Sequence, residues 1–134
     1  MITVDEYLTH WKKRYGHATV PEDELTQEMV ANAERTVAAA NKLLEAFGED
    51  RDITSGWRPV AVNRLVPGAA LRSNHTQCLA VDIADPDGDL DDWCINHPAQ
   101  MVTLGLWQEH PATTKGWTHV QIVPPKSKRR VFCP

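Results

Sequence analysis

The chain has 134 residues, of which 42% are hydrophobic and 24% are charged, and its formal net charge is −4 at pH 7. This length suits one domain with a single core, and the composition excludes a disordered or fibrous protein. The acidic balance argues against a general nucleic-acid binder and against electrostatic attraction to membranes, because such proteins carry a basic surplus.

The start of the chain and its cysteines indicate the compartment. Residues 1–6, Met-Ile-Thr-Val-Asp-Glu, lack the basic start and apolar centre of a signal peptide, and no apolar run is long enough to cross a bilayer. We therefore expect a protein that is made and left in the cytoplasm. Cys78, Cys94 and Cys133 lack the spacing of a disulfide framework or a metal site, which predicts reduced thiols.

Helical patterns occupy residues 1–48. Thr3 and Glu6 have the spacing of a capping box, which predicts a short helix to about Arg14. A longer helix is predicted to follow, starting at Thr26 or within 19–22 and ending at Gly48. Its apolar stripe contains Val30, Val37 and Leu44. We interpret this alanine-rich helix as support for the core, without chemistry of its own.

Polar residues that are candidates for a site begin after residue 52. Ile53–Arg58 is predicted to be a short strand that carries Arg58, and Pro59 then opens a brief helix over Val60–Val66.

Two further predicted strands each present a polar group on the face opposite their aliphatic side chains. In Cys78–Ala84, alternation places Asp82 on the face away from the aliphatic row, and in Trp117–Gln121 it does the same for His119. His75 lies just before the first strand, close enough for a loop to fold it over Asp82. Two imidazoles and one carboxylate are the ligand set of an open zinc site, whose fourth position is left for water with a pKa of about 7.

These residues also carry a family resemblance. Ser73-x-His75-x-x-Cys78-x-Ala80-x-Asp82 resembles the SxHxxGxAxD signature of zinc D-Ala-D-Ala carboxypeptidases and phage L-Ala-D-Glu endopeptidases, with Cys78 where the signature has Gly. Trp117-x-His119 resembles the late W-x-H element of that family, and Ser55-Gly56-Trp57-Arg58 resembles its upstream S-G-Y/W-R segment. The match covers roughly residues 53–134 in the order of the family.

The resemblance implies both a site and a fold. It implies that His75, Asp82 and His119 bind Zn²⁺, that Arg58 holds a substrate carboxylate or carbonyl oxygen, and that Ser73 belongs to the substrate-binding segment. The implied fold is α+β, hedgehog/D-Ala-D-Ala-carboxypeptidase-like, with a small antiparallel sheet flanked by helices and a zinc site in a surface groove. We expect one domain over 1–134, with a helical part at 1–48 and a site-bearing part at 53–134.

The chain departs from the family pattern at the catalytic base. Many members carry Asp or Glu three residues before the last histidine, and this chain has Gly116 there. The nearest upstream carboxylate is Glu109, which a loop containing Pro111 can return to the metal. We therefore predict Glu109 as the general base that takes a proton from water.

The remaining polar segments favour structural roles. Asp85–Asp89 is interpreted as a turn, with Asp89 capping a helix over Leu90–His97. His97, like His10 and His17, is expected to be solvated and free of metal. The basic run Pro124–Arg130 is interpreted as a hairpin tip from which Val131-Phe132 returns to the sheet.

Taken with the resemblance, these residues predict a zinc-dependent peptidase that hydrolyses peptidoglycan stem peptides, of the phage or prophage endolysin type. No nucleic-acid or membrane partner is expected, and the oligomeric state stays open. One alternative is a D-Ala-D-Ala carboxypeptidase or dipeptidase, which needs a closed end to the groove. The other is a non-catalytic zinc-binding domain of a virion, which Gly116 and Cys78 favour.

Overall fold

Helices occupy most of the first third of the chain, and the strands follow. The computed structural model describes residues 1–134. The helices are α1 Val4–Thr9, α2 Lys12–Tyr15, α3 Gln27–Phe47, α4 Val60–Asn63, α5 Asp89–Asn96 and α6 Pro98–Leu104. The strands are β1 Ile53–Ser55, β2 Ala80–Asp85, β3 Trp107–Glu109, β4 Gly116–Gln121 and β5 Val131–Phe132. Single 3-10 turns lie at Asn74–Gln77 and Pro111–Thr113.

The N-terminal helices begin where their sequence signals place them. The Thr3 hydroxyl accepts the N–H of Glu6 at 3.0 Å, so the predicted cap is confirmed, although the helix ends at Thr9 and a separate turn, α2, continues to Tyr15. The Thr26 hydroxyl caps α3, and Gly48 ends it with a φ of 94°, a left-handed conformation that glycine adopts without strain.

The five strands form one mixed sheet in the order β1-β2-β4-β3-β5. Three of its four pairings are antiparallel, and β5 pairs parallel with β3. The α+β class with a small sheet flanked by helices is therefore confirmed, whereas the expected purely antiparallel sheet is wrong at one edge. The reason is that the chain reverses after β4, so β5 runs antiparallel to β4, while β3 lies between the two strands and is itself antiparallel to β4. β5 must therefore pair parallel with β3.

The basic run before β5 forms only part of the expected exposed tip. Lys126, Lys128 and Arg129 are exposed around a turn in which Lys128 N donates to Pro125 O. Arg130 folds back instead, with its guanidinium 4.0 Å from the centre of the Trp107 ring and its Nε donating to Leu106 O.

The core joins the N-terminal helices to one face of the sheet. A cluster of 18 buried apolar residues includes Tyr7 of α1 and the strand residues Val81, Ile83 and Val120. It also includes the inner stripe of α3, which consists of Met29, Ala33, Val37, Ala40, Leu43 and Leu44. Because side chains alternate along a strand, the polar residues between these positions lie on the other face. The fold thus supports one face of β2 and β4 and leaves the opposite face for a site.

Two local predictions need correction. The carboxylate that accepts the N–H groups at the start of α5 belongs to Asp85, through Leu90 N and Asp91 N, whereas Asp89 is the first residue of the helix. Arg58 lies beyond the end of β1, and the helix after Pro59 stops at Asn63.

No helix of the structure combines the length and the apolar character that a bilayer crossing requires.

Candidate metal centre

Sheet register brings two of the three predicted ligands together. Asp82 of β2 is directly opposite His119 of β4 in the antiparallel ladder. Residues that face each other in such a pair have Cβ atoms about 5 Å apart, which places a carboxylate and an imidazole side by side on one sheet face.

The third predicted ligand, His75, stands on a short turn just before β2. The Ser73 side chain accepts the N–H of His75 at 3.2 Å, and the 3-10 turn Asn74–Gln77 ends at Cys78 with a φ of 60°. This left-handed backbone explains why the signature carries Gly at the position of Cys78. The turn reverses the chain and places the His75 ring over the face that carries Asp82.

The three side chains converge on a common point. One ligand atom from each of His75, Asp82 and His119, here called the metal triad, lies within 4.8 Å of the other two. Asp82 Oδ1 is 3.2 Å from His75 Nε2 and 2.8 Å from His119 Nδ1. All three residues are buried, with exposed fractions of 2%, 5% and 9% in chain order.

Each imidazole of the metal triad has a second hydrogen-bond acceptor at its outer nitrogen. His75 Nδ1 is 2.8 Å from Gly56 O, and His119 Nε2 is 2.9 Å from Gln121 Oε1. Gln121 Nε2 donates to Val123 O at 2.9 Å, which fixes its oxygen towards the ring. A carbonyl oxygen can only accept, so both outer nitrogens carry the proton.

This arrangement calls for a cation between the rings. A neutral imidazole has one N–H, so with the outer nitrogens protonated the inner nitrogens present lone pairs to Asp82 Oδ1. Lone pairs and a carboxylate oxygen facing one another repel unless a metal ion or extra protons lie between them. Two nitrogens and one oxygen with tautomers fixed from behind are the donor set of a three-ligand zinc site, so the residues present fit zinc.

The ionisation of the metal triad follows from its burial and mutual contacts. Burial alone raises the pKa of Asp82, but His75 and His119 outweigh it and hold that pKa far below its usual range. Burial is the dominant influence at His75 and lowers its pKa, in spite of Asp82. Burial also lowers the pKa of His119, but the hydrogen bond and charge of Asp82 reverse this and leave the pKa raised. The carboxylate is thus ionised whenever the protein is folded near neutral pH.

Arg58 lies next to the metal triad and is held in place by three contacts. Its Nη2 donates to Asp82 Oδ2 at 3.3 Å, its Nε to Ser55 Oγ at 3.0 Å, and its Nη1 to Asn63 Oδ1 at 3.5 Å. Arg58 therefore occupies the oxygen of Asp82 that does not face the imidazoles. A substrate role for Arg58 stays a prediction.

Glu109 reaches the site through the sheet. Trp107 pairs with Gln121 and Gln108 with Val120, so the next step of the ladder brings Glu109 alongside His119. Its Oε2 accepts the Thr113 hydroxyl at 3.1 Å. Its charge is near enough to contribute to the raised pKa of His119, after Asp82 and Gln121. The pairing of β3 with β4 therefore brings Glu109 to the site, whereas the sequence analysis had assigned this to the loop that contains Pro111.

The metal triad opens into a cavity of about 500 Å³, here called the site cavity. Its walls include Ser73, Arg58 and Glu109, together with Trp117 and the segment 66–70. All the predicted site residues therefore line one space. The Ser73 side chain accepts the N–H of His75, and its contact with substrate stays a prediction.

The sequence analysis did not identify the groups behind the ligands. Gln121 was given no role, although strand alternation puts it on the face of His119, two residues further on, and this was the available signal. Burial raises the pKa of the Cys78 and Cys94 thiols to about 12, and neither belongs to the metal triad. All three cysteines are free. His97 stacks on Trp93 and lies outside the site.

Comparison with known families agrees with this geometry. The family model described as Peptidase M15 matches residues 3–121, which include the whole metal triad and Glu109. The chain belongs to the M15 peptidase family. The resemblance read from the signature is thereby confirmed, and the M15 family supports a metallopeptidase. Neither the comparison with curated proteins nor that with solved structures finds a significant match.

Proposed function

We propose that this M15 peptidase uses zinc to hydrolyse peptide bonds in peptidoglycan stem peptides, as an endopeptidase of the phage or prophage endolysin type. The observation that carries the proposal is the pair of imidazoles whose outer nitrogens are committed to Gly56 O and Gln121 Oε1 while their inner nitrogens face Asp82. The signature around these residues, which resembles that of enzymes acting on stem peptides, supports the substrate class.

Each polar residue of the site cavity has a separate role in hydrolysis. Zinc, when bound, supplies a Lewis acid that activates water and polarises a carbonyl. Glu109 has one carboxylate oxygen bonded to Thr113 and the other free, so it accepts the proton of the attacking water. As the C–N bond breaks, Glu109 returns that proton to the leaving amine. Arg58, held beside Asp82, donates to the oxyanion that develops on the attacked carbonyl.

The proposal is tested by digesting purified peptidoglycan and weighing the products. We expect zinc-loaded wild type to release fragments with new amino termini inside the stem peptide. Glu109→Gln keeps the shape of the side chain, so it should retain zinc and lose about 10²- to 10⁴-fold in rate, the usual contribution of a general base. Glu45→Gln, on the exposed side of α3, is the matched control and should be unaffected.

Each contrary outcome has its own meaning. Release of D-alanine alone would indicate a carboxypeptidase instead. A Glu109→Gln variant as fast as wild type would refute the assignment of the base. Wild type that contains one zinc per chain but releases nothing would refute the peptidase function and favour a zinc-binding domain.

A further inference from the structure

A second pocket adjoins the site cavity. It has a volume of about 260 Å³ and shares Arg58, Val66, Asp82 and Trp117 with the site cavity. Its other walls, which define what we call the side pocket, come mainly from α2, the residues just before it and α4. These walls include His10, Trp11, Arg14, Tyr15 and Val62. A molecule bound at the metal triad can therefore extend one group into a space built by the N-terminal helices.

The side pocket carries an uncompensated positive charge. Asp82 is the only acidic residue in its lining, and its oxygens already contact both imidazoles and Arg58. Arg14 makes no salt bridge or side-chain hydrogen bond to the rest of the chain, and its guanidinium lies 5.9 Å from the centre of the Tyr15 ring. Burial and the nearby Lys13 lower the pKa of His10, and the charges of Glu6 and Asp52 offset this only in part, so His10 is a neutral hydrogen-bonding group near pH 7. Arg14 is thus the free cation of the side pocket.

We propose that the side pocket is a substrate subsite for a carboxylate and that Arg14 is the residue that selects it. A guanidinium offers two parallel N–H groups that match the two oxygens of a carboxylate. Trp11, Tyr15 and Val62 supply apolar walls that suit a small side chain beside the carboxylate. This proposal rests on the proposed function, because it concerns the substrate of the same site.

Two parts of a stem peptide offer this chemistry. One is the carboxylate at the chain end. The other is the α-carboxylate of a D-glutamate that is linked through its side chain. The probes that separate these sources are N-acetyl-D-alanine and N-acetyl-D-glutamate γ-methylamide, each compared with the corresponding carboxamide. Each probe carries an acetyl amide in place of the scissile peptide bond, and the NMR spectrum itself shows whether that amide stays intact while binding is measured.

The test is an NMR titration of zinc-loaded protein with the four probes. We expect wild type to bind at least one carboxylate probe about tenfold more tightly than its carboxamide, as expected for a charge-assisted hydrogen bond at a partly exposed site. Arg14→Gln should reduce this ratio severalfold, because the amide has no charge, and the preference that remains comes from zinc and Arg58. Arg129→Gln removes another exposed arginine, at the basic turn, and should keep the wild-type ratio.

The outcomes separate this proposal from the proposed function. A carboxylate preference as large in Arg14→Gln as in wild type would overturn the subsite, and so would a wild type that binds acids and amides equally. The acid that shows the preference identifies the source of the carboxylate. Failure of the peptidase function appears only in the digestion of peptidoglycan, which this titration does not use.

Discussion

At the scale of the residue, the site depends on where two imidazoles place their protons. Gly56 O and Gln121 Oε1 accept hydrogen bonds from the outer nitrogens. The inner nitrogens of His75 and His119 therefore keep their lone pairs and can bind a cation. Such groups behind a ligand fix its tautomer and orientation, and they raise its basicity. The affinity of the metal triad for zinc is therefore set partly by residues that never touch the ion.

Substitution of Gln121 tests this directly. Gln121→Met preserves the approximate size of the side chain but removes the acceptor, so we expect zinc affinity to fall by about 10- to 100-fold. Gln121→Glu keeps an acceptor and should retain most of the affinity. The measurement is competition with a chromophoric chelator, and Gln100→Met, on an exposed part of α6, is the control. An unchanged affinity in Gln121→Met would show that the His119 tautomer is fixed by other means.

Much of the site was predictable from single residues. The signature and strand parity placed His75, Asp82 and His119 correctly, because parity depends only on the alternation of side chains. The role of Gln121 was not predictable, since it requires the carbonyl of Val123 to orient the amide. The left-handed backbone of Cys78 was likewise not predicted, because a non-glycine residue seldom adopts that conformation, although the Gly of the signature at this position was a signal for it.

At the scale of the element, helix α1 fixes the loop that supports His75. Tyr7 O accepts the N–H of Trp57 at 3.0 Å, and a Cβ added at Gly56 would lie only 2.3 Å from the same oxygen. Gly56 is therefore required for the close approach of α1 to the segment after β1. Gly56 O also accepts a hydrogen bond from His75. A change in the packing of α1 against Gly56 should therefore also shift the His75 ring of the metal triad.

Gly56→Ala should damage both stability and metal binding. We expect a loss of about 1 to 3 kcal/mol in the free energy of unfolding, the usual cost of an overpacked site, together with weaker zinc affinity. The control is Gly48→Ala, which strains the left-handed end of α3 by about 1 kcal/mol but lies away from the site. Urea denaturation and chelator competition measure the two effects. Zinc affinity equal to that of wild type in Gly56→Ala would contradict the link.

A second element, the junction of β2 and α5, makes stability depend on pH. Burial alone raises the pKa of Asp85, but hydrogen bonds from its neighbours outweigh burial and lower the pKa below its ordinary value. The donors are Asp91 N, Leu90 N, Thr118 Oγ1 and Arg51 Nη1. A lowered pKa in the folded state stabilises the protein above the unfolded pKa of about 3.9, and this stability is lost as the pH falls through the folded value.

Asp85→Asn is the corresponding test. The amide keeps one acceptor oxygen but turns N–H groups towards the donors of α5, so we expect a loss of about 2 kcal/mol at pH 7. The difference between wild type and variant should begin to shrink below about pH 4, where Asp85 becomes protonated in the unfolded wild type, and it should be lost as the pH falls through the lower folded value. Chemical denaturation from pH 7 to pH 3 measures it. A difference that stays constant with pH would exclude the ionised Asp85 as its source.

Elements were predicted less completely than residues. The end of α3 followed from Gly48, and Thr26 was one of its two predicted starts, because both caps act locally. The parallel pairing of β5 did not follow, because it depends on β3 already occupying the edge of β4. The cap of α5 was assigned to Asp89 because that residue is adjacent to the helix, whereas the β2 backbone brings Asp85 to the same N–H groups.

At the scale of the whole molecule, one apolar core packs the helical part, residues 1–48, against the site-bearing part, residues 53–134. Tyr7 of α1, the inner stripe of α3 and Val81, Ile83 and Val120 of the sheet belong to the same buried cluster. The Tyr7 hydroxyl donates to Ala80 O at 2.6 Å, two residues before Asp82. The helical part is thus a structural support for the site, and it also supplies the wall that carries Arg14.

The claim on which all of this rests is that the metal triad holds one divalent ion. Isothermal titration of metal-free protein with zinc tests it most directly, comparing wild type with Asp82→Asn, which preserves shape but removes the charge between the imidazoles. Asp89→Asn, at the exposed start of α5, is the matched control. We predict one zinc per chain in wild type and Asp89→Asn, and loss of that binding in Asp82→Asn. Zinc bound equally well by Asp82→Asn, or not bound by wild type, would contradict the account.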